Sequence, residues 1–151
     1  ESFRLELPEE AAQGVVFIKL ELKDEAGRVL SENFYWYASQ AAGYRRLNDM
    51  REAAVECSAM RASECGMVRV SLELANRSGS VALALQATVR DARKHTRVLP
   101  AYADDNFISL LPGERRRLTI EVPASVGSGE LEVALAGWNV QSLAVPVRRS
   151  P

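Results

Sequence analysis

The chain has 151 residues, with 19 basic and 20 acidic side chains and a formal net charge of −1. That length buries a core without disulfide or metal staples. A near-zero balance whose longest like-charge run is Arg115-Arg116-Arg117 leaves no footprint for nucleic acid or an anionic membrane. No apolar run approaches the roughly 18 residues of a membrane span, and the first residues lack a signal-peptide pattern.

The first predicted element is a strand over Phe3 to Leu7, so the chain opens on secondary structure, as a mature or excised piece would. In Val16-Phe-Ile-Lys-Leu-Glu-Leu22 the even positions are apolar, and alternation resumes at Val29 to Tyr37 after Asp24-Glu-Ala-Gly27. Both features predict a hairpin. Residues 38 to 48 lose the alternation and read as a linker, which sets a boundary near residue 40. Residues 1–40 hold too few strands to be stable alone and are assigned to the closing strands of a preceding β-sandwich domain. Residues 41–151 are assigned to a C-terminal domain. Leu47, Met50 and Ala54 have helical spacing, yet residues 45–60 carry no cap signal and read as a loop leading into an edge strand.

Beyond the linker a weak strand is predicted at 53–59, a strong one at 67–75, a turn at 76–80, and further strands at 81–90, 96–99, 106–110, 116–122 and 130–136. Short strands at regular spacing, punctuated by Gly, Pro and Asn, predict an all-β fold, an immunoglobulin-like β-sandwich. Its core is expected to set Val68, Val70, Leu72 and Leu74 against Val81, Leu83, Leu85 and Val89, with Leu118, Ile120, Val122, Leu131, Val133 and Leu135. In Leu110-Leu-Pro-Gly-Glu114, Pro112 fixes φ and Gly113 supplies the positive φ of a type II turn, with Leu111 able to anchor inward.

No catalytic residue emerges. Asp104 and Asp105 are adjacent, so on a strand they point to opposite faces and cannot flank one glycosidic bond. With Tyr102 and Asn106 they form a polar loop whose side chains are expected to bond their own backbone. His95 has basic neighbours and no nucleophile motif, and reads as a surface histidine. Cys57 and Cys65 lie too far from it for a metal site, and no cofactor is expected. The two cysteines fall out of phase, so a disulfide needs a bulge, and two partly buried free thiols are the alternative. Tyr35, Trp36, Tyr37, Tyr102 and Trp138 can stack on sugars or fill a core or interdomain seam.

Read together, Val16 to Trp36, Tyr44-Arg-Arg-Leu-Asn48, Leu99 to Glu114 and Ala136-Gly-Trp-Asn139 resemble the C-terminal region of glycoside hydrolase family 2 enzymes. The likeness is nearest to the exo-β-D-glucosaminidases and the plant mannosylglycoprotein endo-β-mannosidases. Ala103, standing where a small hydroxyl residue is expected, and the short linker after Trp36 depart from the wider family, and the second departure favours these two branches. The resemblance implies a parent retaining hydrolase whose two catalytic glutamates sit in an upstream (β/α)₈ barrel. This chain is then a non-catalytic accessory piece partnered by the other domains of its own polypeptide. Secretion or a periplasmic home is implied only by the same resemblance. Tyr102, Asp104, Asp105, Asn106, Trp36 and Trp138 become candidates for interdomain or sugar contact. The alternative is a free carbohydrate-binding module. An isolated hairpin with open edges further predicts self-association.

Overall fold

The computed structural model describes residues 4, 6, 7 and 14–149, and the strand predicted over Phe3 to Leu7 falls largely outside them. The chain divides into two compact units, Glu1–Met50 and Arg51–Pro151.

In the first unit, strand β1 (Val16–Lys23) pairs antiparallel with β2 (Val29–Tyr37), from Val16 opposite Tyr37 to Lys23 opposite Val29. The predicted hairpin is therefore present. Its turn is closed by Asp24, whose carboxylate accepts from the Arg28 backbone N–H at 2.8 Å and from Arg28 Nε at 2.7 Å. Those bonds hold the Asp24 carboxyl below its usual range. Phe17 and Phe34 stack with ring centroids 5.8 Å apart. The stretch that reads as a linker folds instead into a 3₁₀ helix, Ala41–Asp49, in which Leu47 is buried. Of the helical spacing at Leu47, Met50 and Ala54, only Leu47 lies in that helix, because a strand begins at Val55.

The second unit contains β3 (Val55–Glu64), β4 (Met67–Asn76), β5 (Ala82–Asp91), β6 (Tyr102–Ala103), β7 (Ile108–Leu110), β8 (Arg115–Pro123), a short helix α1 (Ala124–Gly127), β9 (Leu131–Gly137) and β10 (Val140–Arg149). The strand order β6-β8-β4-β3-β10-β9-β5-β7 makes two layers. They are joined where β10 runs parallel to β3, from Val147 opposite Ala59 to Arg149 opposite Arg61. The fold is the predicted immunoglobulin-like sandwich.

Alternation places Val68, Val70, Leu72 and Leu74 of β4, Leu118, Ile120 and Val122 of β8, and Leu131, Val133 and Leu135 of β9 in one buried cluster. Strand β5 departs from the expected phase. Ala84 takes φ +52°, and the pairing with β7 shifts register between Ala82 and Leu85. Ala82, Leu85, Ala87 and Val89 face the core as a result, Val81 is half-buried, and Leu83 is buried outside that cluster. Two further expectations are corrected. Residues 96–99 contribute only a bridge from Arg97 to Arg90, and β10 was not anticipated.

The β3–β4 turn places Cys65 at φ +49° and Gly66 at φ +78°, both left-handed. A two-residue turn of this kind prefers Asn-Gly because a Cβ crowds the first position. Cys65→Asn is expected to raise stability by about 0.5 to 1 kcal/mol, measured as a higher denaturation midpoint. A lower midpoint would show that the thiol contributes more than the turn strain.

Asn76, at 0% exposure, closes the corner between β4 and the Pro-Gly turn. Its side-chain amide donates to Ser80 O at 2.8 Å and Leu110 O at 2.9 Å, and its Oδ1 accepts from Ser78 N at 3.0 Å and Ser78 Oγ at 2.7 Å. Its backbone carbonyl accepts from Gly113 N at 3.0 Å.

Candidate functional site

The segment from Tyr102 to Glu114 connects β6 on one layer to β7 on the other and then turns into β8. Its end is the predicted type II turn. Glu114 N donates to Leu111 O at 3.0 Å, and Gly113 has φ +79°. The Glu114 carboxylate accepts from Leu111 N at 2.8 Å. Leu110 is the buried anchor of this corner, while Leu111 is only half-buried.

The polar residues of the loop are engaged within their own unit. Asp104 Oδ1 accepts from Thr119 N at 2.9 Å, extending the short β6–β8 ladder with a side chain. Asp105 accepts from Asn106 N at 2.8 Å and forms an ion pair with Arg116 at 3.0 Å. Asn106 imitates a strand: its Oδ1 accepts from Ala87 N at 3.0 Å and its Nδ2 donates to Ala87 O at 3.3 Å. These arrangements orient the loop and leave no pair of carboxylates facing one space. Arg117 is likewise paired, with its Nε 2.7 Å from Glu73.

The aromatic candidates stand in solvent. Trp36 is 44% exposed in the first unit and Trp138 55% exposed in the second, and Tyr35, Tyr37 and Tyr102 are exposed as well. Trp138 N donates to Leu83 O at 2.8 Å. Beside it, Asn139 donates to Arg51 O and Val81 O, each at 2.8 Å, and accepts from Leu83 N at 3.0 Å. The Gly-Trp-Asn motif therefore has a structural half, Asn139, and an outward half, Trp138. Sequence reasoning missed this division, because hydrogen-bond partners so distant in the chain leave no periodic signal.

His95, at φ +54°, sets Nδ1 2.8 Å from the buried Glu132 carboxylate, with most of the imidazole in solvent. No cluster of three or more metal-ligating side chains occurs among the described residues. Among those residues, no helix is long and apolar enough to cross a membrane.

The disulfide considered for Cys57 and Cys65 is not formed. Both are free thiols, Cys57 within β3 and Cys65 at the turn that follows it. Along extended strand they lie about 26 Å apart, at roughly 3.3 Å per residue, far beyond the ~7 Å that a bridge tolerates. Burial raises the Cys57 thiol to about 11 from an ordinary value of 9.0. Because the folded state holds this proton more tightly, its contribution to stability falls as pH climbs from 9.0 towards 11. A thiol reagent at pH 8 is expected to modify the exposed Cys65 rapidly and the half-buried Cys57 more slowly. Equal rates at both sites would contradict the burial.

The fold and the closed corner define the class of protein, an immunoglobulin-like sandwich domain. Residues 33–140 match the family described as "Exo-beta-D-glucosaminidase Ig-fold domain". The chain belongs to that family. It is 27% identical over 145 residues to an exo-β-D-glucosaminidase of Arthroderma benhamiae, covering 84% of this chain and 16% of the relative. It is 29% identical over 147 residues to the exo-β-D-glucosaminidase of Amycolatopsis orientalis, covering 83% of this chain and 14% of that one. The solved structure of the A. orientalis exo-chitosanase CsxA superposes with a TM-score of 0.79 at 28% identity, over 86% of this chain and 18% of that one. The chain thus spans a small part of larger enzymes.

Proposed function

We propose that the chain is the C-terminal accessory region of a family 2 glycoside hydrolase of the exo-β-D-glucosaminidase type. In this reading it supports the catalytic barrel of the same polypeptide and carries none of the reacting groups. The observation that carries it is the joint one above: a family match over residues 33–140, in a chain covering only 16% of one full relative. The internal engagement of Asp104, Asp105 and Asn106 supports it, since acids tied into turns and ladders serve architecture rather than proton transfer.

The first unit is assigned, on this reading, to the closing strands of a preceding β-sandwich spanning residues 1–40, with residues 41–151 as the last domain. Among the described residues the hairpin is a two-stranded sheet, and Leu22 and Leu30 stand in solvent. A lone hairpin is marginal in water, so missing neighbours would account for both facts. The isolated chain is accordingly expected to self-associate, and sedimentation as a clean monomer would contradict this.

The test compares the polypeptide encoded with its upstream sequence, a version truncated before residue 1, and the 151-residue chain alone. The full polypeptide is expected to release glucosamine from chitooligosaccharides, the isolated chain to release none, and the truncated version to lose most of its activity at a temperature the full one survives. A truncated enzyme with unchanged activity and thermal half-life would defeat the supporting role.

A second reading, an independent carbohydrate-binding module, is favoured by the exposure of both indoles. It requires the isolated chain to bind oligosaccharides at millimolar affinity or better, with loss on Trp36→Ala or Trp138→Ala.

A further inference from the structure

Residues 99–107 hold three large apolar side chains in solvent. Leu99, Tyr102 and Phe107 are 67%, 61% and 64% exposed, while Asp104, Asp105 and Asn106 between them are bonded within the domain. Three large apolar side chains standing in solvent within so short a segment are more than scattered single exposures account for.

Phe107 adds a backbone argument. Its φ of +56° lies in the left-handed region, disfavoured for a bulky side chain and easy for glycine. The conformation is clamped from both sides. Asn106 Oδ1 accepts from Phe107 N at 3.1 Å while its amide grips Ala87, and Ser109 Oγ accepts from Ala84 N at 3.2 Å. The ring is thus fixed outward at a cost in backbone strain and in exposed apolar area, and the described residues leave it largely uncovered.

We infer that residues 99–107 form a docking edge, and that its occupant is an apolar protein surface from the part of the same polypeptide outside this chain, with Phe107 and Tyr102 as the inserted anchors. This rests on the accessory-domain reading above. Length supports an occupant within the polypeptide, because the matched relatives are enzymes of which this chain covers only 14% to 17%. Topology supports the location. The segment runs between β6 and β7, the end strands of the sheet order, which are only 2 and 3 residues long. A surface seated there would also shield the open backbone of β8 and β5.

The experiment uses Phe107→Gly alone and combined with Tyr102→Ser, each made in the isolated chain and in the full polypeptide. In the isolated chain Phe107→Gly should leave the melting temperature unchanged or raise it, since glycine relaxes the left-handed backbone and the lost ring was in solvent. In the full polypeptide the double variant should speed proteolytic release of this region by about tenfold or more, the scale of losing a buried aromatic anchor. Faster release from the full polypeptide with no loss of stability in the isolated chain is the expected result. An unchanged release rate overturns the docking edge while leaving the accessory reading intact, whereas a full polypeptide with no further domain overturns both. Destabilisation of the isolated chain by Phe107→Gly would give the ring an internal role and overturn the inference. So would chitooligosaccharide binding by the isolated chain that these substitutions abolish.

Discussion

Replacing Asn76 with Ala is expected to destabilise the sandwich by about 3 kcal/mol, because it takes the side-chain donor from the buried Leu110 carbonyl and leaves Ser80 O with Ser78 Oγ alone of its two side-chain donors. The side-chain amide is shared between Ser80 O in the β4–β5 turn and Leu110 O at the end of β7, at 2.8 and 2.9 Å. With Asn76 at 0% exposure, no solvent reaches the vacated position without the corner opening. The backbone bonds from Gly113 N to Asn76 O and from Asn76 N to Glu114 O, each 3.0 Å, would then bear the whole connection. Denaturant unfolding should show a lower midpoint at an unchanged slope. A loss below about 1 kcal/mol would mean that the corner re-forms without its amide, against the usual cost of orphaned buried groups. Asn76→Asp should be at least as damaging, since an ionised carboxylate offers those carbonyls no proton.

Leu72→Ala is expected to cost about 3 to 4 kcal/mol, by lost transfer energy plus the cavity left behind. Leu72 is 0% exposed at the centre of β4, opposite Ala59 of β3 and Leu118 of β8. The facing alanine has no side chain long enough to reach into the space. The same truncation at Leu30, 63% exposed in the hairpin, should stay within about 0.5 kcal/mol in the isolated chain at a dilution that keeps it monomeric. Equal losses at both positions would mean that the hairpin is buried in solution, for instance against a second copy. Either core variant removes a sizeable share of the roughly 5 to 15 kcal/mol that holds a domain folded.

Much of this fold is legible because period-2 alternation is a local signal with a steric cause. Strands β4, β8 and β9 announce themselves in this way, and so does the turn at Pro112-Gly113, whose chemistry is contained in two residues. β10 escaped because Pro146, a residue that cannot donate to a ladder, sits in the middle of Val140–Arg149. It is tolerated opposite Glu132 of β9. The phase of β5 failed at a single residue, Ala84, where a left-handed φ shifts the pattern without any glycine to mark it. At the candidate site, adjacency was enough to exclude Asp104 and Asp105 as a catalytic pair. The bonding of Asn106 to Ala87 and of Asn139 to Val81 could not be foreseen, because each joins segments far apart in the chain. The outward ring of Phe107 was missed for a similar reason, since its backbone angle depends on those distant bonds.

The parallel run of β3 beside β10 has a mechanical consequence. Two parallel neighbours start at the same end of the sandwich, so the first strand of the second unit enters at one pole and the last leaves at the other. Tension applied across the unit, from residue 51 to residue 149, then slides the strands past one another, and the bonds from Ala59 to Arg61 share the load together. Pulling apart an antiparallel pair from its open end instead breaks one bond at a time. Stretched between its flanking residues, this sandwich should give way at a higher force than when gripped at Val55 and Asn76, the open end of the antiparallel β3–β4 pair.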